Sequence, residues 1–386
     1  MKIDVAVVGR FHSFDLAREL KRHGLLHKLI TTYPKFMANR FNINEDEVIS
    51  YLYLELFNRY ARKLPFIKIE TVTNIANKLF SRHHVKHIAD CDMFVGRSLS
   101  SLESIIEAKK QNKIAIVIRG SAHFSYQMDL LGSEFDRLNL ELPYRYDAWQ
   151  RELLEYELAD YIQVNSSFVK RTFIAKGIPE KKIITVNTGV NLDEFKQEKK
   201  EDDVFRIIFS GAASIRKGYH YLLQAFYELD LPNCEVWHLG GIDNQDASME
   251  PFFKKYKTDK WVLKGHKPQG ELYKYYSQGS VLVLPSIEEG LAMVQAQAMA
   301  CGLPLICTTN TGGEDFISED GKEGFVIPIR DVEALKEKIL FMYNNQDICK
   351  KMGQDAKQRI SSGFTWQDYG DKLVKKYREI YEAHKS

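Results

Sequence analysis

The chain has 386 residues, of which 44% are apolar and 27% charged, and its formal net charge is +2. This composition excludes disordered, collagen-like and disulfide-scaffold proteins, and the length is enough for two domains with separate cores. No apolar run reaches the roughly 18 residues of a membrane-spanning helix, and the small net charge argues against a nucleic-acid partner.

The five cysteines include no pair with the C-x-x-C spacing of a redox or zinc motif. This pattern is unlike a disulfide framework and fits a reducing compartment. The first residues, Met1–Asp4, lead directly into a short strand segment instead of the apolar region of a signal peptide. We therefore expect a cytoplasmic protein.

Short apolar segments alternate with helical stretches along the whole chain. In the first half the predicted strands are Ile3–Val8, His27–Thr32, Met93–Gly96, Ile114–Ile118, Tyr161–Val164 and Ile183–Val186. In the second half they are Phe205–Phe209, Glu235–Leu239, Trp261–Leu263, Val281–Leu284, Leu305–Cys307 and Phe325–Ile327. Strands that alternate with helices predict parallel sheets covered by helices on both faces. The expected fold class is therefore α/β, with two Rossmann-like domains.

A charged run without apolar residues, Lys196–Asp203, divides the two halves and is typical of a linker. We place an N-terminal domain at residues 1–196 and a C-terminal domain at residues 204–363. The last segment, residues 364–386, has the apolar spacing of an amphipathic helix. Ligands of such sheets bind at the carboxyl ends of the strands, so the cleft between the domains is the expected active site.

The stretch 59–87 is strongly basic, with Glu70 as its one acidic residue. Its basic residues are Arg59, Arg62, Lys63, Lys68, Lys78, Arg82 and Lys86, and its aromatic residues include Tyr60, Phe66 and Phe80. One interpretation is a solvated helix face, to which the histidines at positions 83, 84 and 87 also belong. The other is an attachment patch for anionic lipid headgroups, to which each basic residue contributes about 1 kcal/mol. The second interpretation predicts a peripheral protein at the inner face of the cell membrane.

The most distinctive motif runs from Pro285 to Pro304 and reads PSIEEGLAMVQAQAMACGLP. A strand end is followed by a turn with two carboxylates and a glycine, and then by a helix of small residues. The N–H groups at the start of a helix suit a phosphate, and a carboxylate beside them can accept hydrogen bonds from sugar hydroxyls. The glycine would let a ligand approach the backbone closely. The motif therefore predicts a sugar-nucleotide site.

This segment resembles the signature of the retaining GT-B glycosyltransferases of family GT4, Glu-Gly-Phe-Gly followed by Glu-Ala-Met-Ala-Cys-Gly-x-Pro. Glu289 matches the first glutamate, Gln297 stands at the place of the second, and Ala292 replaces the second glycine. The resemblance extends over most of the chain. It implies the GT-B fold, in which two Rossmann-like domains face each other across a cleft and the C-terminal helix crosses back to the first domain.

By this resemblance Glu289 is a catalytic residue that contacts the donor sugar near the reacting carbon, and Glu288 is its exposed neighbour. The donor-binding residues implied in the same motif are Gly290, Leu291, Ala292, Met293 and Gln297. The family's second glutamate binds the ribose hydroxyls, so an amide at that place weakens donor binding by about 1 kcal/mol or signals another donor. In the alternative interpretation Gln295 and Gln297 are ordinary surface glutamines.

A second donor element, SGAASIRKG at residues 210–218, follows a predicted strand. Lys217 matches the family's lysine, which implies a catalytic role at the donor diphosphate. The family's arginine is replaced by Ala212, and Arg216 is the candidate that supplies the missing cation. Two further loops are implied to contact the donor, through Gly312 and Gly313 and through His266.

In the first domain the loop RGSAH, residues 119–123, follows a predicted strand. The resemblance implies that His123 is a catalytic residue that positions the sugar or orients the acceptor hydroxyl, and a buried structural histidine is the alternative. Gly9, in the loop after the first strand, is assigned to the donor. Arg10, His12 and Arg119 are assigned to the acceptor side.

The sequence thus predicts a retaining glycosyltransferase that uses a nucleotide-sugar donor and a glycan or lipid-linked acceptor, in the synthesis of a surface polysaccharide or lipid-linked glycan. We expect no cofactor and no metal. The D-x-D triplet Asp90-Cys91-Asp92 is interpreted as structural. A nucleotide-sugar epimerase of the same fold and a degenerate, non-catalytic nucleotide- or glycan-binding protein are the alternatives.

Overall fold

The computed structural model describes residues 1–61, 69–143, 149–242 and 247–385. Within these ranges the strands form two parallel sheets. The first sheet contains β1 (Ile3–Val7), β2 (Leu26–Thr31), β3 (Val48–Ser50), β4 (Met93–Arg97), β5 (Ile114–Arg119), β6 (Tyr161–Val164) and β7 (Ile183–Thr185). Their order across the sheet is β3-β2-β1-β4-β5-β6-β7.

The second sheet belongs to the C-terminal half of the chain. It contains β8 (Phe205–Ser210), β9 (Cys234–Leu239), β10 (Trp261–Leu263), β11 (Val281–Leu284), β12 (Leu305–Thr308) and β13 (Gly324–Ile327). Their order is β10-β9-β8-β11-β12-β13.

Helices connect the strands and cover the sheets. In the first half they are α1 (Ser13–Arg22), α2 (Leu52–Ala61), α3 (Ile69–His84), α4 (Leu102–Lys110), α5 (Phe124–Arg137), α6 (Trp149–Leu158) and α7 (Ser167–Ala175). In the second half they are α8 (Tyr219–Leu229), α9 (Glu250–Lys255), α10 (Leu272–Tyr276), α11 (Met293–Ala300), α12 (Val332–Asn344), α13 (Gln346–Ser361) and α14 (Trp366–Lys385). Among the described residues no helix is long and apolar enough to cross a membrane.

The strands are apolar because the helices bury both faces of each sheet. All residues of β1 and of β8 are buried. The strand order reverses between β1 and β4 in the first sheet and between β8 and β11 in the second. Loops diverge at such a reversal and leave a crevice for a ligand at the carboxyl ends of the strands. The loops after β1, β8 and β11 therefore define the place to look for a site.

The last helix, α14, packs on the first domain although it follows the second along the chain. Its buried residues include Tyr369, Leu373, Val374 and Tyr377. They share a core cluster with Phe14 of α1 and with β1. The chain crosses between the domains where Val190 N donates a hydrogen bond to Phe364 O (2.8 Å). The predicted α/β fold of GT-B type, with its returning helix, is thereby confirmed.

Glu134 of α5 lies in the contact between the two domains and binds side chains of the second domain. Its side chain is completely buried. Tyr221 Oη donates to Glu134 Oε1 (2.6 Å), Arg330 Nε donates to Oε2 (2.5 Å), and His220 Nε2 lies 3.1 Å from Oε1. Burial alone would raise the pKa of Glu134, but these three hydrogen bonds hold that pKa below its ordinary value. An ionised first-domain carboxylate is thus held by three side chains of the second domain.

The charged run Lys196–Asp203 packs against the second domain. Glu198 N donates to Ser277 Oγ (2.8 Å), and Lys200 Nζ donates to Ser280 Oγ (2.8 Å) and to Val204 O (2.6 Å). A segment without apolar side chains is therefore fixed by polar contacts rather than left as a free linker.

The basic stretch at residues 59–87 is only partly a surface. Lys78, Arg82 and Lys86 are exposed, whereas residues 62–68 lie outside the described part of the chain. Placing His84 on the basic face was wrong, because its side chain is completely buried. Its Nδ1 lies 3.1 Å from Ser104 Oγ and its Nε2 3.5 Å from Asp4 Oδ2, so its polar atoms have partners inside the core.

Candidate functional site

The turn after β11 brings two adjacent glutamates to the contact between the domains. Glu288 was predicted to be the exposed neighbour of Glu289, but it is completely buried. Its Oε1 accepts a hydrogen bond from Ala122 N (3.0 Å). Its Oε2 accepts from Gln127 Nε2 (2.6 Å) and from Arg216 Nε (2.9 Å). The prediction was wrong because two of these three donors come from the other domain, which the local sequence does not show.

Glu289 faces the cations of the loop after β8. Its Oε1 forms an ion pair with Lys217 Nζ, and its Oε2 lies 3.9 Å from Arg216 Nη2. Burial alone would raise the pKa of Glu289, but the charges of Lys217 and Arg216 hold that pKa below its ordinary value. The carboxylate is therefore ionised at neutral pH, and its side chain is only 11% exposed. The structure thus joins three of the predicted residues into one charged cluster.

The loops that carry these charges are fixed to each other through their backbones. Ile287 N donates to Arg216 O (2.9 Å), and Glu289 N donates to Asn310 O (2.9 Å). Gly218 has a positive φ of 61°, and a side-chain carbon there would overlap Pro285 O. Only glycine fits such a position without strain. The loops after β8, β11 and β12 therefore form one rigid unit.

Gly290 is the point at which the backbones of the two domains touch. A side-chain carbon at this position would overlap the carbonyl oxygen of Gly120. Ser166 Oγ, also from the first domain, donates to Gly290 O (2.6 Å). The sequence explained this glycine by the close approach of a ligand, whereas here the approaching group is the Gly120 backbone. Gly312, with φ 71°, lies on the other side, where a side-chain carbon would be 2.9 Å from Gly290 O.

The start of α11 carries the remaining residues of the motif. Leu291 and Ala292 are buried, and Ala292 N donates to Thr311 O (3.2 Å). Met293 Sδ accepts a hydrogen bond from Thr188 Oγ1 of the first domain (2.8 Å). Gln297 is half-buried on the same helix.

The alternative interpretation of Gln295 as a surface glutamine was wrong, because this residue is completely buried. Its Nε2 donates to Thr311 O (3.0 Å), and a side-chain carbon at Gly313 would overlap its Oε1. Gly313 thus packs against Gln295 of this helix, and its neighbour Gly312 packs against Gly290 and Leu291.

His123 caps helix α5. Ser125 N donates to His123 Nδ1 (3.2 Å), and the ring lies 5.2 Å from Tyr156 and 5.0 Å from Phe173 between ring centroids. Burial, with smaller effects of Lys176 and Arg119, lowers the pKa of His123 to about 4. The ring is therefore neutral at pH 7, in the environment of a buried structural histidine.

Arg119 reaches the charged cluster through one intermediate side chain. Its Nη2 donates to Gln127 Oε1 (2.9 Å), and Gln127 in turn donates to Glu288. Its Nη1 also pairs with Glu152 Oε1 (2.7 Å). Gln127 was missed by the sequence reasoning, because a glutamine within a helix gives no local signal of a contact 161 residues away.

The other predicted residues make no described contact with the cluster. Gly9 has φ 81° and donates from its N to Thr32 Oγ1 (2.9 Å). Arg10 is exposed near the Phe41 ring, and His12 is half-exposed near Trp366. His266 is exposed on the loop after β10, which is separated from β8 by β9. Their roles stay predictions.

Gly290→Ala tests the contact between the domains. The new methyl group would overlap the Gly120 backbone, so we expect the domains to separate, with an increased radius of gyration in solution scattering. The free energy of unfolding should fall by about 1–3 kcal/mol, as overpacking generally causes. Gly270→Ala is the matched control, because nothing lies within 4 Å of the added carbon. Unchanged scattering and stability in Gly290→Ala would show that the domains do not touch there.

Comparison with known proteins agrees with this geometry. Residues 191–359 match the family model described as glycosyl transferases group 1. An uncharacterized glycosyltransferase of Methanocaldococcus jannaschii is 32% identical over 199 residues, which are 52% of this chain and about half (53%) of that protein. A second one from the same organism is 24% identical over 366 residues, 90% of this chain and 87% of that protein. The capsular polysaccharide biosynthesis glycosyltransferase CapM of Staphylococcus aureus is 24% identical over 234 residues, 56% of this chain and 61% of that protein.

Solved structures are similar over nearly the full length. A sucrose-phosphate synthase from Thermosynechococcus elongatus superposes with a TM-score of 0.71 at 17% identity, covering 99% of this chain and 100% of that one. HepE of Anabaena, in complex with UDP and glucose, gives a TM-score of 0.71 at 13% identity, covering 98% and 100%. The chain therefore has the GT-B fold, and its residues 191–359 are similar to the glycosyl transferases of group 1.

Proposed function

We propose that this chain is a retaining glycosyltransferase that moves a sugar from a nucleotide-sugar donor to an acceptor hydroxyl. The observation that carries the proposal is the cluster of Arg216, Lys217 and ionised Glu289 inside the group 1 domain. Two adjacent cations suit a diphosphate, and an ionised carboxylate suits the hydroxyls of a sugar. Backbone hydrogen bonds join their loops, which suits preorganised electrostatic stabilisation.

In the proposed reaction the acceptor oxygen bonds to the anomeric carbon on the face that the diphosphate leaves. The bond between that carbon and the diphosphate oxygen breaks, and its electron pair stays with the diphosphate. The proton of the acceptor hydroxyl passes to an oxygen of the leaving diphosphate. Lys217 and Arg216 stabilise the charge that develops there. No metal and no cofactor form part of this scheme.

His123 holds its helix and the nearby loop, and we assign it no proton transfer. A group with a pKa of about 4 is almost fully deprotonated at pH 7 and donates poorly as an acid. Its proposed contribution is to hold residues 119–123 against Glu288, since Ala122 N bonds that carboxylate. Glu289 is the proposed contact to the donor sugar, and Gln297 to the nucleoside.

The relatives support a surface glycan as the acceptor. CapM carries capsular polysaccharide biosynthesis in its name, and a relative from Salmonella typhimurium carries colanic acid biosynthesis. HepE, solved in complex with UDP and glucose, supports a nucleotide-sugar donor. We infer that this chain acts on a growing polysaccharide or a lipid-linked glycan. Two alternative functions would behave differently. A nucleotide-sugar epimerase would change the sugar of the donor without any acceptor, and a non-catalytic protein would bind the nucleotide without turnover.

Lys217→Met tests the donor site. Hydrolysis of the nucleotide sugar to free nucleotide, measured by chromatography without acceptor, should slow by about 10²–10³-fold, because one stabilising cation is lost. Lys254→Met is the matched control, since Lys254 is 76% exposed and pairs with Glu250 on the surface. Equal rates in the wild type and Lys217→Met would contradict the assignment.

We further propose that the protein attaches to anionic membranes through α2 and the basic residues between Lys78 and Lys86. One face of α2 exposes the apolar side chains Leu52, Tyr53, Leu56, Phe57 and Tyr60. The neighbouring Lys78, Arg82 and Lys86 are exposed as well. An apolar helix face beside basic residues suits the headgroup region of an anionic bilayer. This surface would bring the cleft close to a lipid-linked acceptor.

Sedimentation with lipid vesicles tests the attachment. The triple variant Lys78→Gln, Arg82→Gln, Lys86→Gln should bind phosphatidylglycerol vesicles about 100-fold more weakly, since three basic residues contribute about 3 kcal/mol together. The control exchanges Lys375, Lys376 and Arg378, three exposed basic residues of α14, for glutamine. Wild-type binding that is equal on neutral phosphatidylcholine vesicles, or unchanged in the first variant, would exclude this surface.

A further inference from the structure

A small cavity in the first domain lies beside the contact between the domains. It is lined by His12, Arg97, Arg119, Gly120, Asn165 and Thr188, among others. These residues stand at the start of α1 and at the carboxyl ends of β4 to β7. Gly120, one wall of the cavity, is the residue that Gly290 touches. The cavity is therefore on the acceptor side, next to the proposed donor site.

The cavity has room for one small polar group. Its volume is about 40 Å³. A single water needs roughly 10–15 Å³ of such space, so a group of a few heavy atoms fits.

Arg97 gives the cavity a positive charge that no carboxylate of the described residues contacts directly. Arg119, its neighbour, pairs with Glu152, whereas no carboxylate of the described residues lies within 4.0 Å of the Arg97 guanidinium. Burial, and next to it the charge of Arg119, lowers the pKa of Arg97 to about 10, although the charge of the more distant Glu152 acts in the opposite direction. The group is therefore still charged at neutral pH. Glu152 is thus shared by two arginines, and a partly buried cation without a contacting partner of its own is stabilised by a ligand that supplies negative charge.

The ring of Phe11 covers the guanidinium from one side. The central carbon of the Arg97 guanidinium, Cζ, lies 3.9 Å from the centroid of the Phe11 ring. Phe11 adopts a positive φ of 40°, which is unusual for a residue with a side chain, and the residue is 56% exposed. The ring holds the face of the guanidinium, so the N–H edge is the part that remains for a ligand.

Asn165 adds an unpaired hydrogen-bond acceptor. Its Nδ2 donates to Gly120 O (3.1 Å), whereas its Oδ1 is buried and has no partner among the described residues. Leaving a buried polar atom without a partner costs free energy, and native structures rarely do so. A ligand hydroxyl would satisfy this oxygen.

From this combination we infer that the acceptor carries an anionic group, a phosphate or a carboxylate, which Arg97 binds in this cavity while Asn165 accepts a hydroxyl of the same ligand. A guanidinium can hold either anion through two parallel N–H donors. The identification of the ligand as the acceptor rests on the proposed function. The anion-binding site itself does not require that the protein transfers a sugar. The ligand class is thus an acidic or phosphorylated sugar.

Calorimetric titration of the full chain tests the site. The probes are glucose 6-phosphate and glucuronate, with glucose as the neutral reference. We expect at least one anionic probe to bind and glucose to bind much more weakly, and the better of the two identifies the anion as phosphate or carboxylate. Arg97→Gln should weaken that binding by about 10- to 100-fold, as the loss of a charge-assisted contact does. Arg97→Lys should weaken it less, because the charge remains. Arg40→Gln, the exchange of an exposed arginine, should change nothing.

Melting of the ligand-free variants separates binding from structure. Removal of an unpaired charge should leave the melting temperature of Arg97→Gln equal to that of the wild type or raise it. A lower melting temperature together with unchanged probe affinity would assign Arg97 a structural role and overturn the inference. So would wild-type protein that binds neither anionic probe.

Nucleotide titrations on the same samples keep the two proposals apart. Arg97→Gln should bind the nucleotide as the wild type does. Nucleotide binding without binding of either anionic probe would contradict the anion site and leave the proposed transferase intact. Anion binding without nucleotide binding would contradict the proposed transferase and retain the site.

Discussion

The arrangement of the site depends on one buried carboxylate, that of Glu288. It accepts hydrogen bonds from Ala122 N and Gln127 of the first domain and from Arg216 of the second. A buried charge is tolerated only when such partners surround it, and removal of one partner is costly. Glu288 therefore requires both domains to be in contact, and it fixes Arg216 at the same time. Glu289 and Lys217 are adjacent in sequence to these two residues and form the next pair of the cluster.

The two sides of the domain contact differ in how their cations are balanced. Arg216 and Lys217 in the second domain are neutralised by Glu288 and Glu289. In the proposed function, a diphosphate that binds there would replace part of this existing electrostatic network. Arg97 in the first domain has no such described partner. We expect the proposed donor site to gain specificity because the diphosphate replaces the glutamates as partners of Arg216 and Lys217. We expect the proposed acceptor site to gain affinity because the anionic ligand pairs with Arg97.

Local sequence was enough to predict much of the fold. The strands are continuous apolar segments because both faces of each sheet are buried, and that pattern is visible without tertiary information. The Lys217-Gly218 pair and the turn at Glu289 follow strands directly, so their meeting at the carboxyl edge of one sheet was also predictable.

The wrong predictions share a physical cause. Glu288 and His84 are charged or polar in sequence and were placed on the surface, yet each is buried because partners distant in sequence satisfy it. Gly290 was explained by a ligand, although the backbone of Gly120 occupies the space beside it. Contacts of this kind depend on how the two domains approach each other. No periodicity or motif within one segment contains that information.

Titration of the full chain with UDP, GDP and ADP, each with and without Mg²⁺, is the measurement that tests the central claim most directly. We expect one nucleotide to bind without a need for the metal and to stabilise the fold by about 2.7 kcal/mol at 100 times its Kd. Lack of binding by all three nucleotides would contradict a donor site at Arg216, Lys217 and Glu289, and with it the proposed transferase.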